Sequence, residues 1–211
     1  MSENFKCKKC EKSIGEHNQY LHDGMCDDCF FEVYFPEGCR IYENNINELP
    51  KICKLNEKEN MKFWEFLKYG DFDQERFSKI VKEIKEKIDC KKCMNCCKVL
   101  KTVLNNNDIS IISKHLNLTE EDFISRYLLK NEDGNLEFKQ KPCAFLIDNK
   151  CQIYNVRPKE CSEYPHLDKD ITWRCIQFFN NAEICPIVFN VLENAKEEFL
   201  EDMYVFENPD V

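Results

Sequence analysis

The sequence predicts a mainly α fold with short β hairpins, together with a small, irregular, cysteine-rich domain. Apolar residues recur at helical spacing, as at Phe77, Ile80, Val81, Ile84 and Ile88. Hairpin signals are sparse, the clearest being the turn at Asp133-Gly134. Cysteine is abundant, 15 in 211 residues, and gathers in short strings. With 43% hydrophobic residues the chain has enough apolar surface for a core, and five Gly with seven Pro exclude a low-complexity chain.

The elements follow in order. Residues 1–35 carry two paired-cysteine knuckles and close on the aromatic run FFEVYF. Residues 36–59 are polar and rich in Asn and Glu, and read as a connection with room for one short helix. A helical domain is expected over 60–211. Its first helix, 60–69, is stopped by Gly70. The second, 74–88, takes Asp73 as its N-cap, and lysines and glutamates fill the face opposite its apolar stripe. This helix leads straight into Cys90. Residues 99–104 (VLKTVL) read as a short strand. Asp108 to Leu116 and Thr119 to Leu129 read as helices, the latter capped by Thr119 with three acids in its first turn. Residues 143–165 are dense in Cys, Pro and aromatics and read as irregular loops folded around a metal. Cys185-Pro186 opens a last helix with Pro at its first position; its stripe runs Ile187, Val188, Val191, Leu192, Ala195, Phe199, Leu200.

The cysteines bound the chemistry. The opening MSENFKCKKC has no apolar stretch that would serve as a secretion signal, so a reducing, cytoplasmic setting is expected. Clustered cysteines in that setting bind metal or carry redox chemistry more often than they form disulfides, and an odd count fits poorly with full pairing. Cys39 and Cys53 stand alone and read as small buried hydrophobes. Burial does not account for the others, whose two- and three-residue spacing it does not require. Cys7 and Cys10 form one CxxC, and Cys26 and Cys29 a second. Two such knuckles, each aiming two thiolates at one ion, complete a tetrahedral zinc site and resemble a zinc-ribbon or treble-clef module. So short a segment lacks a core, so the metal would supply the folding free energy. The module also offers a docking surface for a protein partner. His17 and His22 read as surface residues, since four thiolates suffice.

The second constellation begins at Cys90, Cys93, Cys96 and Cys97. It continues through Cys143, Cys151 and Cys161 to Cys175 and Cys185, nine cysteines after Asp89 and more than one four-coordinate ion needs. Either two ions share the site, or one cluster is accompanied by spare thiols. Three cysteines at C-x2-C-x2-C can hold one corner of an iron–sulfur cube, with the fourth ligand supplied from elsewhere. Zinc and iron–sulfur centres both accept thiolates, so ligand type does not separate them; a cubane is the preferred expectation and zinc its alternative. The adjacent Cys96 and Cys97 point apart on most backbones, which suits ligands to two centres, or one ligand beside one reactive thiol. Lys91, Lys92 and Lys98 flank the string. Arg157 and Tyr154 are candidates to contact an anion or substrate, unless Tyr154 packs on the loops and Arg157 pairs with a carboxylate. His166 is a reserve ligand, and His115 reads as a packed or exposed side chain.

The strings CKKCMNCC (90–97), PCAFL (142–146), CQIYNVRPKEC (151–161) and Tyr164-Pro165 occur in an order that resembles the YkgJ-like CxxCxxCC proteins over about residues 88–190. The resemblance implies zinc or iron chelation. Beside it stands an enzymatic alternative, a cluster serving redox or sulfur-transfer chemistry or, as the resemblance implies, protein lysine methyl transfer. Where that family usually has Arg and Phe after the last motif's cysteine, this chain has Ser162, Glu163 and Tyr164.

Other classes are unsupported. There is no Gly-rich phosphate loop, no GxSxG and no HExxH. The longest apolar runs fall short of a bilayer. A net charge of −9, and the lack of aromatics interleaved among the lysines of 79–101, argue against nucleic-acid binding.

Overall fold

The computed structural model describes residues 5–6, 13–14 and 38–209. The chain divides into two compact units, Met1–Arg40 and Ile41–Val211. In the first, β1 (Phe5–Lys6) and β2 (Ser13–Ile14) pair antiparallel, Phe5 opposite Ile14. Cys7, Cys10, Cys26 and Cys29, with His17 and His22, lie outside the described residues.

The second unit is mainly α with short antiparallel strand pairs. It opens with α1 (Leu49–Leu55), α2 (Glu57–Tyr69) and α3 (Gln74–Lys87). The stretch read as a connection therefore holds one whole helix and the first turn of a second. Gly70 ends α2: its N–H returns to the Phe66 carbonyl at 2.8 Å. Asp73 caps α3, its Oδ1 accepting the N–H groups of Glu75 at 2.8 Å and Arg76 at 3.1 Å. The predicted stripe is buried at Phe77, Ile80, Val81 and Ile84.

The chain returns to this layer through α9 (Cys175–Ala182), α10 (Pro186–Glu198) and α11 (Leu200–Glu207). Helix α10 packs on α9 and α3. Phenylalanines fill the layer, with Phe199 4.9 Å from Phe72 and 5.8 Å from Phe66 between ring centroids. The last helix, expected to be continuous, breaks at Phe199. Arg76 explains the break: it donates to the Glu198 carbonyl at 2.7 Å and lies 4.4 Å over the Phe199 ring, so it satisfies a carbonyl that the helix end leaves open. Asn190, fully buried, ties residues 42–43 to α10 by donating to Glu43 O and Pro186 O, both at 2.7 Å.

Between these helices runs the cysteine-bearing insertion: α4 (Cys90–Cys93), α5 (Asn95–Val99), α6 (Asn106–His115) and α7 (Glu120–Tyr127), the hairpins β3 (Leu128–Lys130)–β4 (Leu136–Phe138) and β5 (Leu146–Ile147)–β6 (Lys150–Cys151), a 3-10 turn at Tyr154–Val156, and α8 (Lys159–Glu163). It has its own small core, including Ile109, Ile112, Phe123, Leu128, Phe138 and Phe145. A capping box of Asn105 and Asp108 opens α6. Thr119 caps α7 as expected.

Two expectations change here. VLKTVL does not form a strand: α5 takes its first residue, Val103 makes an isolated bridge to Glu137, and Leu104 N–H reaches Leu136 O at 2.8 Å. The segment 143–165 is more regular than loops. Asp148 and Asn149, both with positive φ, form the two-residue turn of β5–β6, the conformation that matches strand twist. Among the described residues no single helix is long and apolar enough to cross a membrane.

Candidate metal centre

The cysteine strings converge because short elements deliver them. Asp89 caps α4 by accepting Lys91 N–H at 3.0 Å, and one helical turn sets Cys90 and Cys93 three residues apart on one face. Met94 then takes a left-handed conformation, φ 50°, and separates α4 from α5. This is costly for a non-glycine residue, and Met94 is held there buried, 3.9 Å from the Cys97 sulfur. Helix α5 carries Cys96 and Cys97. The Cys143 N–H donates to Cys97 O at 2.9 Å, which brings the second string onto the first. Hairpin β5–β6 folds Cys151 back opposite Leu146, whose N–H bonds Cys143 O at 2.9 Å. Helix α8 presents Cys161, whose sulfur lies 3.2 Å from the Thr102 hydroxyl. Asp108 fixes the start of α8 by accepting Lys159 N–H at 3.0 Å. Asn95 Nδ2 donates to Ile184 O at 2.7 Å and so draws Cys185 to the same place.

The result is a cavity of about 750 Å³ lined by eight cysteines: Cys90, Cys93, Cys96, Cys97, Cys143, Cys151, Cys161 and Cys185. Cys175 is buried at the start of α9 and does not line it. Cys53 is buried among the helices, where burial pushes its thiol up to about 12, as expected of a packing residue; Cys39 is half-buried.

Electrostatics sort the thiols. The Cys96 thiol pairs with Cys97. This hydrogen bond, then burial, pushes Cys96 up, whereas the same bond brings Cys97 down against burial, helped by its own amide and by Lys98 and Arg157. Cys97 is thus the thiol poised to ionise. Burial raises Cys143 and Cys151, and takes Cys161 to about 11 against the Thr102 hydrogen bond. Burial also takes Cys185 to about 11, against the amides of Val188 and Ile187 in the first turn of α10. Tyr164 Oη is buried among Cys185, Cys96 and Cys93.

Arg157 does not pair with a carboxylate among the described residues. It donates to Tyr154 O at 2.8 Å and stacks 3.9 Å from the Tyr154 ring, over which Lys91 also lies at 5.1 Å. His166 is buried on the cavity wall with φ 64°; Nε2 meets Glu160 Oε2 at 3.2 Å, Nδ1 has no partner among the described residues, and burial lowers its pKa. Asn95, Thr102 and Met94 escaped the sequence reading, since nothing in their spacing marks them.

The donor set fits a thiophilic group. Eight thiols and the Met94 thioether share the wall with one carboxylate, Glu160, and one imidazole, His166, a balance that suits zinc or iron–sulfur centres and not calcium or magnesium. Among the described residues no three ligating side chains yet meet at one point. Holding a metal there would require the thiols to close inward as they lose their protons.

Residues 89–186 match the CxxCxxCC family, described as "Putative zinc- or iron-chelating domain". The matched span contains all eight cavity cysteines and Cys175. Searches of curated proteins and of solved structures give no match.

Proposed function

We propose that the segment matched to the zinc- or iron-chelating family holds its metal on the cysteines of the cavity, as iron–sulfur or as zinc. The observation that carries this is the convergence of eight thiols from five separate stretches of chain on one cavity. So many sulfurs, in a space larger than one ion, favour a cluster or more than one ion. The N-terminal Cys7, Cys10, Cys26 and Cys29 would hold a further zinc; their two-residue spacing supports this, and the module would serve to dock a protein partner. Free thiols in this number suit a reducing compartment such as the cytoplasm.

A second reading, a cluster-dependent enzyme, draws on Arg157. Its guanidinium lines the cavity with no carboxylate partner among the described residues and is available, with Tyr154, to hold an anionic substrate group. The test is elemental analysis of the anaerobically purified protein. About four iron with matching sulfide per chain supports a cubane beside a zinc knob and makes the enzyme reading worth assaying. Two or three zinc without iron leaves a zinc chelator. Neither metal above background contradicts chelation.

A further inference from the structure

We propose that the eight cavity thiols form two adjacent four-thiolate sites, Cys90, Cys93, Cys96 and Cys185 in one and Cys97, Cys143, Cys151 and Cys161 in the other, each taking its own thiophilic ion or cluster. This rests on the reading that the cavity chelates metal and goes beyond it in assigning ligands.

Backbone geometry draws the boundary. Cys90 and Cys93 share one turn of α4. Asn95, beside Cys96, is tied to Ile184, beside Cys185, at 2.7 Å. That contact closes the first set. The second set is joined through Cys97 O to Cys143 N at 2.9 Å and through the β5–β6 hairpin that returns Cys151, while Thr102 Oγ1 holds Cys161 Sγ at 3.2 Å on the same cavity wall. Two thiols have charge neighbours that follow this division: Cys185 lies near Cys93 and Cys90, whereas Cys161 lies near Cys97, Cys143 and Cys151. Cys96 has neighbours in both sets, Cys185 in its own and Cys97 with Cys161 in the other. Consecutive residues Cys96 and Cys97 therefore straddle the boundary, one serving each side.

Four thiolates complete a tetrahedral ion or one cube, so two sets of four leave no spare thiol in the cavity. Each site contains cysteines from distant parts of the sequence. The first ties α4–α5 to the start of α10; the second ties α5 to the hairpin and α8. Metal at the two sites would pin the insertion at both ends.

Anaerobic titration of the full chain with Co2+, followed by thiolate charge-transfer absorption, tests the assignment. Cys93→Ser/Cys185→Ser and Cys143→Ser/Cys161→Ser should each lose one equivalent relative to the unsubstituted chain and keep the other. The cross-set pair Cys93→Ser/Cys161→Ser should lose two. If every pair loses the same amount, there is one shared centre and the two-site assignment falls while chelation stands. If Ser at all eight positions leaves the stoichiometry unchanged, chelation by the cavity falls as well. A second measurement needs no substitution: alkylation mapped by mass spectrometry at sub-stoichiometric Zn2+. Protection should appear as blocks of four from one set, and protection spread across both sets in the same molecules overturns the proposal.

Discussion

The backbone carbonyl of Cys97 accepts the N–H of Cys143 at 2.9 Å. This bond joins the end of the CxxCxxCC string to a cysteine far along the chain, on the rim of the small core built from Phe123, Phe138 and Phe145. Backbone pairing, packing and candidate ligands meet there, so metal on these cysteines, as proposed, would be coupled to the stability of the insertion.

Removing metal should loosen the insertion before the helical layer. Its core is small, whereas α2, α3 and α10 bury Phe63, Phe66, Phe77 and Leu192 almost completely. Hydrogen exchange after chelator treatment should rise over residues 90–163 and stay slow in α10. An equal rise in both regions would contradict this coupling.

Loading should release protons. Burial keeps Cys161 and Cys185 near 11 and raises Cys143 and Cys151, so these thiols are protonated near neutral pH and must ionise to ligate. Affinity for zinc should therefore rise with pH between 6 and 9. Calorimetry in buffers of different ionisation enthalpy should show about one proton released per ligating thiol, Cys97 giving less. A pH-independent affinity would argue that other groups hold the metal.

Cys97 should be the fastest of the half-buried cavity thiols to alkylate in the metal-free, reduced protein. The hydrogen bond from Cys96, its own amide, Lys98 and Arg157 draw its thiol below the ordinary range against burial, while burial raises Cys143, Cys151 and Cys161. Its rate should begin to climb at lower pH than theirs. Peptide mapping after brief iodoacetamide exposure reads the order directly, and a Cys97 profile like that of its neighbours would refute it.

Gly70→Ala should destabilise the helical layer. A Cβ there would lie 2.4 Å from the Phe66 ring. That ring is 1% exposed and wedged against Phe72, Phe199 and Phe206, so it has nowhere to move. The cost expected for such overpacking is about 1–3 kcal/mol, visible as a lower Tm. An unchanged Tm would show that the turn after α2 can shift.

Much of this was legible in the sequence where one residue carries one local signal. Asp73 and Thr119 cap helices as their positions suggest, Gly134 turns a hairpin with φ 81°, and Pro186 begins α10. Two kinds of feature were not. Asp148-Asn149 turns a hairpin without the glycine that usually announces one, because Asp and Asn tolerate left-handed backbone. The roles of Asn95, Thr102 and Asn190 depend on partners far away in sequence, which spacing does not encode. The central cysteine strings pointed to zinc or iron chelation, the description of the family matched at 89–186. Which thiols stand together follows from the packing of α4, α5, the β5–β6 hairpin and α10, and that packing left Cys175 outside.

The most direct measurement is X-ray absorption at the zinc and iron edges of the chain carrying Cys7→Ser, Cys10→Ser, Cys26→Ser and Cys29→Ser, so that the signal comes from the cavity. The account predicts bound metal with a first shell of sulfur, at about 2.3 Å for zinc. A shell of oxygen and nitrogen, or no metal at all, would contradict the claim that these eight thiols form a metal centre.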